Sequence, residues 1–319
     1  MVSSQTDFGT RVLWFHKHLD LEVIWFIYSN PSGSDQKLYP RFMTHNLSLL
    51  QRASRIDVVE SPFPYLIIEN ALPKQTCEAL IRTYPSLKSQ GIDESLDNVR
   101  WSTHAEDIDT VAELSPIWKK FVEFHTSQEF FDQVMEIFAV PLARMYGSFF
   151  TSNDSVFRKP VVVRDNRRLA PGRFSLDAQI SGNTPAKSPG APRGIHIDAP
   201  NALYGGLYYL RDEADDSEGG DLQIWKWRDG YSHGKKSGEY REGVDEKHVE
   251  LIQTIKYKAN TLVLFINSLD SLHSVTVRKP TVHTRKFLNL LADTDQPLFK
   301  LIPSPHLRMR NIIRRRLIT

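Results

Sequence analysis

Cysteine is almost missing from this sequence: Cys77 is the only one in 319 residues. No internal disulfide and no Cys-based zinc site can form, and a reducing compartment is the expected home. An excess of one charge is missing too. Forty Lys and Arg stand against 38 Asp and Glu, a net charge of +2, which gives no reason to expect a nucleic-acid partner. Long apolar runs are absent. The most apolar early stretch, Val12 to Tyr28, is broken by His16, Lys17, His18, Asp20 and Glu22, so no membrane span is expected. Residues Met1 to Gly9 lack the basic and then apolar regions of a secretory leader, and the expected location is cytoplasmic. There is no repeat period and no low-complexity segment. Hydrophobic residues at 40% and charged residues at 24% are ordinary for a globular chain. The length allows either two domains or one β-rich body with helical flanks.

The chain changes character along its length. Residues 1–55 read as a helical appendage, through which a homo-oligomer could form. Residues 11–28 are rich in Trp, Phe, Leu and Ile but follow no single period, and a second helix is expected over 41–53. Asn30-Pro31-Ser32-Gly33-Ser34 separates the two. The main domain is expected over 56–319. Its first part, 56–150, holds the short β-rich run Tyr65-Leu66-Ile67-Ile68 and then mainly helices. Ser115 and Pro116 suit the N-cap and first position of one of these helices.

After residue 150, short apolar runs alternate with Gly, Pro, Asn and Asp clusters. The runs 173–181, 204–211, 221–227, 249–257, 261–267, 273–277 and 285–292 read as strands. The expected class is a mainly β core over about 160–295 with helical flanks (α+β), and the strand count is compatible with a jelly roll. The tail 300–319, with Arg308, Arg310, Arg314, Arg315 and Arg316, reads as a basic terminal helix in solvent.

One short segment carries chemistry. In Gly194-Ile195-His196-Ile197-Asp198, an extended backbone turns His196 and Asp198 to the same side, so both can reach one metal ion. His-x-Asp alone is common by chance. A second imidazole, His273, stands at the entry to a predicted strand, and Arg285 opens the next one. Two His and one carboxylate on one face of an octahedral metal are the ligand set of non-haem Fe(II) oxygenases. The remaining positions suit 2-oxoglutarate, through its 2-oxo and C1 carboxylate oxygens, and O2. The far carboxylate of that co-substrate needs a cationic anchor, which a planar guanidinium provides. Arg285 is preferred over Arg278, because Lys279-Pro280 ends the strand after Arg278. Gln179 and Asn183, just upstream of His196, could bond to the co-substrate or the substrate or serve the structure; on the next strand, one of Tyr204, Tyr208 and Tyr209 is expected to donate a hydroxyl to the co-substrate, with Tyr208 preferred. Trp225 and Trp227 share one face by period two and could form a substrate platform or pack in the core. The other histidines, His104 and His283 among them, read as surface or packing residues.

With these residues in place, the sequence resembles the 2-oxoglutarate/Fe(II)-dependent dioxygenases, over roughly residues 170–295. The pattern is His-x-Asp, a distal His, then Arg at a strand start. Gly219-Gly220-Asp221-Leu222 is similar to a motif of the prolyl-4-hydroxylase-like branch. The resemblance implies a double-stranded β-helix, with His196 and Asp198 ending its second strand, His273 beginning the seventh and Arg285 the eighth. It implies Fe(II), 2-oxoglutarate and O2 as the reaction's partners, and hydroxylation of an unactivated C–H bond of a small molecule with release of succinate and CO2. A desaturase or epimerase on the same fold, or a non-catalytic jelly-roll binding protein, are the alternative readings.

Overall fold

The structure, a computed structural model, describes residues 11–13, 24–27, 39–41, 47–151, 161–165, 170–232 and 244–300. Beyond Lys300, the expected basic tail lies outside the described residues. Two compact units divide at Ser48 and Leu49. In the first, β1 (Arg11–Leu13), β2 (Ile24–Ile27) and β3 (Tyr39–Arg41) pair antiparallel in that order. The helices expected there are therefore corrected: the described residues of 1–55 contain no α-helix. Val12 and the run Ile24-Trp25-Phe26-Ile27 are β-branched and aromatic, which favours a pleated strand.

The described residues of the second unit are mostly sheet, flanked by four α-helices. Its strands begin with β4 (Tyr65–Glu69), β5 (Arg100–Thr103) and β6 (Val162–Val163). The seven expected over the second half then follow: β7 (Phe174–Asn183), β8 (Ala202–Tyr209), β9 (Leu222–Trp227), β10 (Val249–Ile255), β11 (Thr261–Ile266), β12 (His273–Val275) and β13 (Arg285–Thr294). One sheet runs β4-β11-β8-β13-β7-β5, with β6 beside β7; the other runs β10-β9-β12. An apolar cluster joins them. Tyr209, Val263, Phe265 and Phe287 come from the large sheet, and Leu222, Ile224 and Ile255 from the small one.

The outer face of the large sheet is covered by helices. These are α1 (Lys74–Arg82), α2 (Pro116–His125), α3 (Gln128–Ile137) and α4 (Ala139–Thr151). Ser115 and Pro116 take the expected places at the start of α2. Trp118, Phe121, Val122 and His125 recur at helical spacing and are buried. The Phe121 ring lies 6.0 Å from that of Tyr208, and Phe131 lies 5.1 Å from Phe174. The helices thus take the apolar face of β7, made by Phe174, Leu176, Ala178 and Ile180. The alternate residues, Asp177, Gln179, Ser181 and Asn183, are polar, face the other way and are equally buried. A buried polar face needs partners. Asp177 and Ser181 find theirs in β5 and the segment after it, whereas Gln179 and Asn183 line an internal cavity.

His125 has a testable consequence for folding. Its Nδ1 donates to the Phe121 carbonyl at 2.7 Å, and its Nε2 accepts from the Leu49 amide at 3.3 Å. Both contacts need the neutral ring, and burial pushes its pKa down to about 3. The unfolded chain takes up this proton near pH ~6.5, whereas the folded chain does not until about pH 3. Stability is thus complete above ~6.5 and falls with pH below it, by about 1.4 kcal/mol per unit for this residue. In metal-free protein, urea unfolding from pH 7 down to 4.5 is expected to show this slope, shallower by one proton in His125→Gln. Equal slopes in the two proteins would refute the assignment.

Candidate active site

The segment carrying His196 and Asp198 is extended, as expected, but it forms an isolated bridge rather than the end of a strand. His196 and His273 exchange both main-chain hydrogen bonds, each at 3.0 Å. This clamps the His-x-Asp segment to the start of β12. Ile195 and Ile197 point into an apolar cluster with Leu272 and Val249. His196 and Asp198 therefore turn the other way, toward His273. Asp198 Oδ1 lies 3.7 Å from His196 Nε2, and its Oδ2 lies 3.8 Å from His273 Nε2. One ligand atom from each of the three residues lies within 4.8 Å of the others. Gly205 of β8 makes room for the carboxylate: a Cβ there would meet Asp198 Oδ2 at 3.1 Å and the Phe265 ring at 2.8 Å.

The donor set fits a divalent metal. His196 Nδ1 is 2.7 Å from the Gly194 carbonyl, and His273 Nδ1 is 2.9 Å from that of Ser271. A carbonyl only accepts, so each Nδ1 carries the proton and each Nε2 presents a lone pair to the shared point. Both rings stay neutral. Burial and the adjacent His273 push His196 down to about 3, and burial lowers His273 as well. Burial opposes ionisation of Asp198. The positive charges around it, the guanidiniums of Arg193 and Arg100 among them, nevertheless hold its carboxyl below the usual range. Two neutral imidazoles and one carboxylate are the protonation states that metal ligation requires.

These residues open onto a cavity of about 300 Å³ that Arg285 also lines. Arg285 is 2% exposed, and among the described residues no carboxylate forms an ion pair with it. Its Nε donates to the Gly220 carbonyl at 2.8 Å. The two terminal nitrogens reach only Asn183 Oδ1 at 3.5 Å and the Tyr209 hydroxyl at 3.4 Å. The guanidinium carbon lies 4.7 Å from the centre of the Phe287 ring. Asn183, 1% exposed, has no hydrogen-bond partner for its Nδ2. A buried cation and a buried N–H donor, both without a full set of partners, describe a seat for an anion.

Arg278 is different. Its guanidinium donates to Asn98 Oδ1 at 2.7 Å, to the Thr184 carbonyl at 3.0 Å and to the His283 carbonyl at 2.9 Å. It holds loops together and does not line the cavity. Gly219 and Gly220 permit the close approach of this region. At Gly219, with φ +83°, a Cβ would sit 1.9 Å from the Val277 carbonyl oxygen; at Gly220 it would sit 3.0 Å from Arg285 Cδ. Asp221 accepts from the Tyr257 amide and from Lys256, each at 2.9 Å.

Several expected site residues are placed elsewhere. Tyr208 faces the helices, and its hydroxyl donates to Asn260 Oδ1 at 2.9 Å. The neighbouring Tyr209 is the hydroxyl beside Arg285, because successive residues of a strand face opposite ways. Trp225 is buried and donates to Ser274 Oγ at 2.8 Å; Trp227 donates to the Leu269 carbonyl at 3.2 Å. Both indoles belong to the apolar cluster around Ile195 and Ile197, not to the cavity wall, so the platform is corrected to a packing role. Gln179 does line the cavity, but its amide is engaged at both ends. It donates to Asp177 Oδ2 at 2.7 Å and accepts from Asn289 Nδ2 at 2.9 Å. His104 Nδ1 lies 2.7 Å from the same Asp177 oxygen. Arg100, Arg193 and Asn289, which no motif in the sequence singles out, also line the cavity. The alternation along β13 from Arg285 was the available signal for Asn289.

No protein-family model matches the sequence, and the comparison with curated proteins finds no match. Among solved structures, the chain is similar to a Pseudomonas putida prolyl-4-hydroxylase at 12% identity, covering 72% of this chain and 92% of that one, with a TM-score of 0.39. It is similar to a Trichoplax adhaerens prolyl hydroxylase, in complex with a hypoxia inducible factor peptide fragment, at 12% identity, 79% and 89% coverage and a TM-score of 0.34. A third is the Fe(II)/alpha-ketoglutarate-dependent dioxygenase TqaL, at 14% identity, 75% and 87% coverage and a TM-score of 0.34. At such identities and scores, the chemistry of the site has to be read from its own side chains. No helix among the described residues is long and apolar enough to cross a membrane.

Proposed function

We propose that this chain is an Fe(II)- and 2-oxoglutarate-dependent oxygenase on a double-stranded β-helix, hydroxylating an unactivated C–H bond of a small molecule. One observation carries the reading: a buried guanidinium without a carboxylate partner shares one cavity with a His-Asp-His trio. His196, Asp198 and His273 would hold the iron. When bound, the metal supplies O2 binding and C–H oxidation, coupled to decarboxylation of 2-oxoglutarate. The chain supplies the rest. Arg285 takes the far carboxylate of the co-substrate in its planar fork, and the Tyr209 hydroxyl and Asn183 Nδ2 offer further donors beside it. Phe265, Leu207 and Phe287 line the same cavity and exclude water. Asp198 fills the third ligand position, which leaves a halide no seat there, so the expected outcome is hydroxylation.

The test is turnover with Fe(II), 2-oxoglutarate and O2 against a metabolite panel, followed by mass spectrometry. Expected are succinate and a product about 16 mass units heavier, or about 18 under 18O2. A product two units lighter would indicate a desaturase, and a product of unchanged mass an epimerase. Absence of succinate across the panel, with iron and 2-oxoglutarate shown not to bind, would leave a jelly-roll binding protein.

A further inference from the structure

The cavity holds more positive charge than iron, co-substrate and ligands balance. In the register of the large sheet, Asn183 of β7 lies opposite Arg285 of β13 on one side and opposite Arg100 of β5 on the other. Residues directly opposite one another share a face. Arg100, Asn183 and Arg285 therefore form one row across three strands, with the two arginine backbones about 10 Å apart. Both guanidiniums meet the Phe287 ring, Arg285 at 4.7 Å and Arg100 at 5.5 Å from its centre. Trp101, the next residue of β5, is buried on the opposite face, which fixes the direction of Arg100.

Arg193 enters the cavity from the segment that leads to His196. Its carbonyl accepts from the Val275 amide at 3.0 Å, so its backbone is tied to β12. Arg285 lies inside, whereas Arg100 and Arg193 line the cavity and are exposed; they stand at its mouth. Among the described residues, neither is in an ion pair. Asp198 is the only carboxylate among the residues lining the cavity. Divalent iron and dianionic 2-oxoglutarate cancel, and Asp198 balances one guanidinium. Two positive charges are left, both on the side open to solvent.

We propose that the substrate carries an oxyanion, a carboxylate or a phosphate, and that Arg100 and Arg193 grip it at the mouth of the cavity. The inference rests on the oxygenase reading, because that reading assigns Arg285 to the co-substrate. Guanidiniums suit the task, since their planar forks bind carboxylate and phosphate oxygens in pairs. An uncharged substrate would have to cover both cations without replacing their hydration. The grip also sets position. The substrate's reactive C–H bond must lie at the distance from its anionic group that separates the two arginines from the iron.

The experiment uses the full chain loaded with Fe(II) and 2-oxoglutarate under nitrogen. It is titrated with a panel of small fluorinated carboxylates and phosphonates, each paired with its uncharged amide or ester. Binding is read from 19F line broadening, which the paramagnetic iron enhances near the site. The anionic members are expected to bind about tenfold or more tighter than their partners. In R100Q/R193Q that preference is expected to vanish, with 2-oxoglutarate affinity by calorimetry unchanged. The relative binding of carboxylates and phosphonates identifies which oxyanion fits. The proposal is overturned if no anionic member binds, if neutral members bind equally well, or if the double variant keeps the preference. It is also overturned if R100Q/R193Q loses 2-oxoglutarate instead. Failure of the wild-type chain to bind 2-oxoglutarate at all would count against the oxygenase reading, while the panel would still report on the two arginines.

Discussion

His196→Ala and His273→Ala are each expected to abolish turnover and to weaken iron binding by about tenfold or more. Each imidazole is fixed in the ligating tautomer by a carbonyl on its Nδ1, and among the described residues no other imidazole lines the cavity. The loss should be specific to the metal. His196 and His273 are joined through their main chains, and an alanine keeps those bonds. The variants should therefore fold, with circular dichroism and metal-free melting close to wild type, while iron titration and succinate release fail. Near-native turnover in either variant, without added imidazole, would remove that residue from the ligand set.

Arg285→Ala is expected to raise the apparent constant for 2-oxoglutarate by two to three orders of magnitude. Removing one partner from a desolvated charged pair costs roughly 3–5 kcal/mol, and among the described residues that line the cavity no second cation is buried. Arg285→Lys keeps the charge but loses the fork, and should fall between the two. Because Arg285 also donates to Gly220, melting temperatures with and without 2-oxoglutarate separate a binding defect from a folding one. In Arg285→Ala, added 2-oxoglutarate should no longer raise the melting temperature, and in Arg285→Lys it should do so less than in the wild type. Arg278→Ala should do the reverse, lowering the melting temperature while the co-substrate still stabilises what remains folded. Exchange of these two patterns would make Arg278 the anchor.

Much of this arrangement is legible in the sequence, and the exceptions share a cause. The seven strands of the second half were legible because turn residues bound each apolar run. His196 and Asp198 were legible through period two, and Arg285 through its place at the start of an apolar strand. Parity was not legible. A strand shows that Tyr208 and Tyr209 face opposite ways but not which way is inward; that depends on the helices covering one face. Trp225 and Trp227 do share a face, yet that face packs against Ile195 and Ile197 rather than a ligand. The pairing of Arg100 with Asn183 joins segments far apart in the chain, and no local pattern announces it. In the first unit, short runs such as Ile24 to Ile27 carry too little periodicity to separate strand from helix.

The reciprocal bridge between His196 and His273 has a consequence for metal choice. Its two hydrogen bonds run between main chains, so folding alone is expected to bring the two imidazoles together before a metal arrives. Small zinc domains gather their ligands only as the ion binds, and their folding is bound up with it. Here the frame imposes its spacing on whatever ion enters. A chelator should strip the site without unravelling the sheets, and the empty protein should take up manganese, cobalt or nickel in the same three-sided seat. Affinity would follow the intrinsic order of those ions, so the cell's metal supply, rather than a selective cage, would decide which one is resident.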